Sequence, residues 1–182
     1  MGYAFRSRLE RTEKGNVSVI QMKDLSEDNR VECGELFQID MADLKDRHLV
    51  KRGDIVLRSR GQTNTSALID QEIVPTVVAA PLLRIRVKTK EVLPGYLSWF
   101  INQPMSQTWL ASHAKGTAVR MISKQVLENL EVIVPPLTQQ HRIIALAALA
   151  KEEQRLLKEL AEKRRQYMEG ILMLLASESQ GG

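Results

Sequence analysis

From Gln139 to Ala176 the chain contains no proline and a single glycine, Gly170. Leu, Ala, Glu, Lys, Gln and Arg dominate this stretch, and all are strong helix formers. The pattern predicts one helix of about 38 residues, ~57 Å long at 1.5 Å per residue. Ala150, Leu157, Arg164 and Ile171 occupy one heptad position, and Glu153, Leu160, Tyr167 and Leu174 occupy the other. That 4-3 spacing is the signature of a coiled coil. Arg164 and Glu153 interrupt the seam, while Leu156, Met168, Leu172 and Leu175 widen the apolar stripe beyond two strands. A domain built from the remaining residues of a 182-residue chain is too small to cover such a rod. The stripe therefore calls for a second helix. The alternative is a helix that folds back onto its own domain.

The rest of the chain reads as one globular domain. Hydrophobic residues make up 43% and charged residues 26%, an ordinary globular composition that argues against intrinsic disorder. No stretch approaches the roughly 20 apolar residues of a bilayer span, and Met1–Arg6 carries no apolar signal core. Cys33 has no second cysteine to pair with, and His48, His113 and His141 are scattered. These features favour a cytoplasmic protein without metal or cofactor. Charge is unevenly placed. Over residues 51–124 Lys and Arg outnumber Asp and Glu by 11 to 4, whereas the flanking segments are close to neutral. A basic middle suits a polyanion, of which nucleic acid is the commonest; the plainer reading is a slightly basic surface.

Residues 17–22 and 35–41 read as strands from their alternation. Lys51-Arg52-Gly53-Asp54 is a turn signal that leads into a short strand, Ile55-Val56-Leu57. Arg58–Ser66 is a polar loop around Gly61. Residues 67–69 and 73–78 are further strand candidates, the second weakened by Pro75. Leu82–Val87 predicts a half-buried strand with Leu83, Ile85 and Val87 inward and Arg84, Arg86 and Lys88 on a cationic outer face. Pro94–Leu110 has helical spacing, which Pro104 divides into two short helices. Trp99 and Trp109 are expected in the core. Residues 115–120 form a basic loop, Ser123 caps a helix to Leu130, and Glu131–Val134 predicts a last strand before Pro135-Pro136.

The order of these landmarks carries a resemblance. Lys51–Leu57, Arg58-Ser59-Arg60-Gly61, Leu83–Val87, Pro94-Gly95-Tyr96-Leu97 with Phe100-Ile101-Asn102, Gly116–Arg120 with Ile122-Ser123, and Ile133–Leu137 with Gln140 and Arg142-Ile143 follow one another before the long helix. Over residues 17–176 the chain resembles the specificity (S, HsdS-type) subunit of type I restriction–modification systems. The resemblance implies a mixed α/β (α+β) target recognition domain over residues 1–136. Residues 137–182 would be the long C-terminal coiled-coil helix, serving dimerisation and methyltransferase docking. A complete family member resembles two such halves in tandem, and this chain carries one. The expectation is a homodimer through antiparallel helices (Leu157, Leu160, Arg164, Tyr167, Ile171, Leu174) that reads an interrupted palindrome in double-stranded DNA. Pairing with another S protein is the other arrangement. Methylation and cleavage are expected in separate M and R subunits, so the chain itself is read as non-catalytic. A truncated S-like protein that binds or inhibits the M subunit without productive DNA recognition is the alternative function.

The candidate DNA contacts lie in two loops. Arg58, Arg60, Gln62, Thr63 and Asn64 offer groups that match guanine and adenine edges. Lys115, Thr117, Arg120 and Lys124 supply the second set, and Arg84 and Arg86 are candidate phosphate contacts. The resemblance implies that both loops face the duplex. Arg6, Arg8 and Arg11, with Gln21 and Lys23, are a weaker third set. Each of these residues also has the plainer reading of a solvated surface group. Ser112 and His113 have no acid at a triad-like spacing, Asp40/Asp43 and Glu152/Glu153 read as solvated faces, and the chain has no phosphate-binding glycine loop.

Overall fold

A computed structural model describes residues 2–5, 12, 15–26, 28–42, 44–116 and 119–178. The chain forms two compact units, Met1–His141 and Arg142–Gly182.

In the first unit, strand β1 (Val17–Ile20) lies between β2 (Phe37–Ile39), which runs antiparallel, and β5 (Thr76–Val78), which runs parallel. Strand β3 (Ile55–Arg58) lies between β4 (Ser66–Leu68) and β6 (Leu82–Ile85), both antiparallel. The strand expected over residues 73–78 shrinks to Thr76–Val78. Pro75 has no N–H for a ladder, though its carbonyl accepts from the Ser18 N–H at 2.9 Å.

Strand alternation sorts the apolar residues into three layers. Ile20, Val56, Val78 and Leu82 come from both sheets and join one cluster with Leu25, Leu36, Val50, Ala67 and Ile69. Val17, Val19, Ile39, Val77 and Ala79 fill the other face of the first sheet. Leu57 and Leu83 point out of the second sheet against Ile101, Leu110 and Ile122. Both sheets are thus buried on two faces, and each large side chain removed from water contributes about 1.5–3 kcal/mol.

Helices α1 (Pro94–Ile101) and α2 (Pro104–His113) both begin on proline, so Pro104 divides the stretch as the sequence indicates. Ser123 Oγ accepts the Val126 N–H at 3.2 Å and caps α3 (Lys124–Glu128). One expectation fails here and another holds in part. Residues 131–134 form no strand. They run without a ladder, with Ile133 65% exposed, and are held by the Tyr96 hydroxyl donating to the Ile133 carbonyl at 2.6 Å. Burial pushes the Tyr96 hydroxyl pKa up. Trp99 and Trp109 are half-buried; Trp109 packs against the Leu57, Leu83, Ile101, Leu110 and Ile122 cluster with its ring stacked on His113 at 4.1 Å, while Tyr96, Phe100, Ile101 and Leu110 are the buried residues of these helices.

Helix α4 spans Leu137–Glu178, 42 residues and ~63 Å. Its first turn belongs to the first unit. There Gln140 is fully buried, accepts the Leu93 N–H at 2.8 Å, and donates to the carbonyls of Glu91 and Pro135, both at 2.7 Å. In the second unit Leu157, Leu160, Tyr167 and Leu174 are between 58 and 68% exposed. Ion pairs line the helix: Arg155 with Glu152 and Glu159, Lys163 with Glu159, and Arg165 with Glu162 and Glu169. No helix among the described residues is long and apolar enough to cross a membrane.

The paired Arg165 holds the Glu162 carboxyl down at about 2, and Lys163 lowers Glu159. A depressed carboxylate stabilises the helix above its unfolded pKa, near 4.3. That stabilisation is lost as pH falls through the folded value. Helical ellipticity is therefore expected to decline between about pH 4.5 and 2 at low salt, and less so in about 1 M salt, where exposed pairs are already screened. A salt-independent acid transition would contradict this.

Candidate nucleic-acid interface

Two polar loops meet at one edge of the first unit. The first follows β3. Asp54 closes the turn ahead of that strand by accepting the Lys51 N–H at 2.9 Å. Beyond β3, Asn102 and Gln107 stand in for a missing strand partner. Asn102 bonds both the N–H and the carbonyl of Ser66, each at 2.8 Å, and Gln107 bonds those of Asn64, at 3.2 and 3.0 Å. The C-terminal end of the loop is thereby fixed to α2 and to the residue that closes α1.

The second loop closes on itself and on the first. Lys115 and Met121 exchange both backbone hydrogen bonds, at 3.0 and 2.9 Å. On the other side of Met121, Ile122 N–H donates to Ser59 at 2.7 Å and Gly61 N–H to Arg120 at 3.2 Å. The result is a short antiparallel ladder with Arg60 opposite Met121 and Met121 opposite Lys115. Gly116 makes the close approach possible. Its φ is +119°, and a Cβ there would sit 2.4 Å from the Val119 carbonyl oxygen. Gly61, at φ +132°, provides the corresponding bend in the first loop. Ser59 and Ile122 are buried on the inner side of this ladder, while Arg60, Lys115 and Met121 are exposed.

The expected contact residues divide accordingly. Arg60, Gln62, Thr63, Lys115, Arg120 and Lys124 are exposed, although Lys124 is paired with Glu128 at 2.8 Å. Thr117, like Arg6, Arg8, Arg11 and Asp43, lies outside the described residues. Arg58 is half-buried and donates to the Leu25 carbonyl, and Asn64 is 5% exposed and donates to the Arg58 carbonyl at 2.9 Å. Both are occupied within the domain. Arg84 and Arg86 do not form a free cationic face. Arg86 grips Asp54 through Nε and Nη2 at 2.6 and 2.7 Å, and Arg84 donates to the Leu49 and Arg47 carbonyls with Asp54 3.9 Å away. The hydrogen bond to Asp54 raises the Arg86 pKa; burial, then repulsion from Arg86, lowers that of Arg84. Lys23 is exposed, while Gln21 is half-buried and donates its N–H to Asp24 at 2.7 Å.

Met121, Asn102 and Gln107 are the participants that sequence reasoning did not assign to the site. An amide at the end of a helix, as at Asn102, or inside one, as at Gln107, is a weak signal, and nothing local marks Met121. Ser112 and His113 share a 3.0 Å hydrogen bond. Among the described residues no group of three or more His, Cys, Asp or Glu is arranged to hold a metal ion.

A family model described as the type I restriction modification DNA specificity domain matches residues 1–162. The type I restriction enzyme EcoBI specificity subunit of Escherichia coli is 26% identical over 133 residues, covering 72% of this chain and 28% of that subunit. Among solved structures, the HsdS subunit from Thermoanaerobacter tengcongensis superposes with a TM-score of 0.62 at 17% identity, over 79% of this chain and 37% of that one. The chain thus spans about a third of the length of these relatives, and it shares with HsdS a mixed recognition-domain fold followed by a long helix. With the family model covering most of its length, the chain belongs to the type I restriction modification DNA specificity domain family.

Proposed function

We propose that this chain reads DNA sequence for a type I restriction–modification assembly, presenting the duplex with the edge made by residues 60–63, 115–116 and 119–124. The observation that supports this most is the ladder at Met121. It fastens two loops far apart in sequence, so that Arg60, Gln62, Thr63, Lys115 and Arg120 are offered together. Cations would set affinity through phosphates, and the Gln62 amide and the Thr63 hydroxyl would choose bases. Residues 1–136 are the reading head. Residues 137–182 are the rod on which a second copy pairs antiparallel and on which the methyltransferase subunit docks. Methylation and cleavage then reside in the M and R subunits, and the pair of heads reads an interrupted palindrome. Work of this kind places the assembly in the cytoplasm.

Selection from a randomised duplex library tests the reading. Recovery of a gapped inverted repeat supports it. Enrichment of no sequence, together with tight binding to the methyltransferase subunit, would favour an S-like inhibitor. Arg60→Ala and Arg120→Ala are each expected to weaken binding of the selected duplex about tenfold at moderate salt and to flatten the salt dependence. Filter binding across a salt series checks this, and unchanged affinity for both variants would remove these residues from the interface.

A further inference from the structure

Met121 is a large apolar side chain, 49% exposed, on the edge that also exposes Arg60, Lys115 and Arg120. The ladder dictates what stands beside it. Directly opposed residues in antiparallel pairs project from the same face. Lys115 and Met121 form a hydrogen-bonded pair, with Cα atoms about 5.5 Å apart. Arg60 and Met121 form a non-hydrogen-bonded pair, about 4.5 Å apart. Arg60, Met121 and Lys115 therefore make a row about 10 Å across, with a cation at each end and a thioether in the middle. The inner face of the same ladder is already filled by Ile122 and Ser59, so Met121 is not a core residue displaced outward. About half of the Met121 side chain is left open to solvent and available to a ligand.

A row of that width matches the major groove, about 12 Å wide, and exceeds the minor groove, about 6 Å. With Arg60 and Lys115 against phosphates on the two walls, the residue between them reaches the base edges. The only apolar group exposed on the floor of the major groove is the 5-methyl of thymine. We infer that Met121 is a specificity-determining residue that reads a thymine 5-methyl group between the phosphate contacts of Arg60 and Lys115. This inference rests on the DNA-reading function proposed above.

The test uses the full chain assembled with its methyltransferase subunit and the duplex recovered by selection. Each thymine is replaced singly by deoxyuridine, which removes only the methyl group. One such replacement in each half-site is expected to weaken wild-type binding about fourfold, the worth of one buried methyl group. Met121→Ala is expected to weaken binding of the thymine duplex by about the same factor or more and to be indifferent to that deoxyuridine. Met121→Leu is expected to restore part of the discrimination. A selected site without thymine, a Met121→Ala variant that still distinguishes thymine from deoxyuridine, or one that loses affinity equally for both duplexes would each overturn the assignment. Failure to select any sequence would instead overturn the DNA-reading function itself.

Discussion

Replacing Leu157 and Leu160 together by aspartate is expected to convert a dimer into a particle of the 20.6 kDa chain mass, as read by light scattering at micromolar concentration. Both leucines are more than half exposed on α4, on the stripe that the heptad pattern assigns to a partner helix. In a two-fold pair the double substitution removes four leucines from the seam. At about 1.5 kcal/mol or more for each, the loss is about 6 kcal/mol, or some four orders of magnitude in the association constant. The carboxylates would add repulsion and desolvation to that loss. The first unit should keep its thermal transition, because neither residue belongs to it. A mass unchanged by the substitution would reject pairing along this face.

Asp54→Ala is expected to lower the stability of the first unit by about 2–4 kcal/mol. Asp54 is 1% exposed, and its carboxylate serves the Lys51 N–H, the Arg86 fork and the nearby Arg84. Without it, two guanidinium groups face each other with no anion between them. Breaking a fully buried pair costs about 3–5 kcal/mol. Here the arginine side chains remain 20 and 34% exposed, so water relieves part of that cost. The transition temperature should fall by about 6–15 °C for a unit of this size. Asp54→Asn, which keeps an acceptor for Lys51, should lie between the two. Scanning calorimetry checks both. A shift below about 2 °C for Asp54→Ala would show that the cluster is dispensable.

The same cluster shows where the sequence misleads. Leu83-Arg84-Ile85-Arg86-Val87 alternates as a half-buried strand should, and alternation assigns both arginines to solvent. It carries no sign of a buried acid 30 residues upstream. Once Asp54 is fixed inside the turn before β3, the arginines fold back onto it. Arg84→Ala and Arg86→Ala should accordingly disturb stability more than the salt slope of DNA binding. Arg58 and Asn64 are taken up inside the domain for a similar reason. Their side chains are short or flexible enough to satisfy neighbouring backbone groups, and an exposed polar loop looks identical in one dimension.

Local signals fared better. Pro94 and Pro104 open helices because proline fixes φ and lacks the donor that a first turn leaves unused. Ser123 caps α3 because its hydroxyl accepts an orphan N–H. The uninterrupted helix formers after Leu137 give one long helix. The strand expected at residues 131–134 failed because β-branched residues indicate a strand only where an edge is free to receive them. The join between Arg60 and Met121 spans 61 positions and depends on a backbone ladder, so no local pattern could announce it. The resemblance suggested that both loops face the duplex; only the fold supplies the side chain that stands between them.

In the proposed pair, the rod is expected to fix the distance between the two reading heads. Inserting one heptad after Leu160 lengthens each helix by about 10.5 Å while preserving the seam. At about 3.4 Å per base pair, the spacer of the selected inverted repeat should grow by about three base pairs, with the half-site sequences unchanged. A spacer of the original length, selected by a variant that still folds and binds DNA, would contradict it.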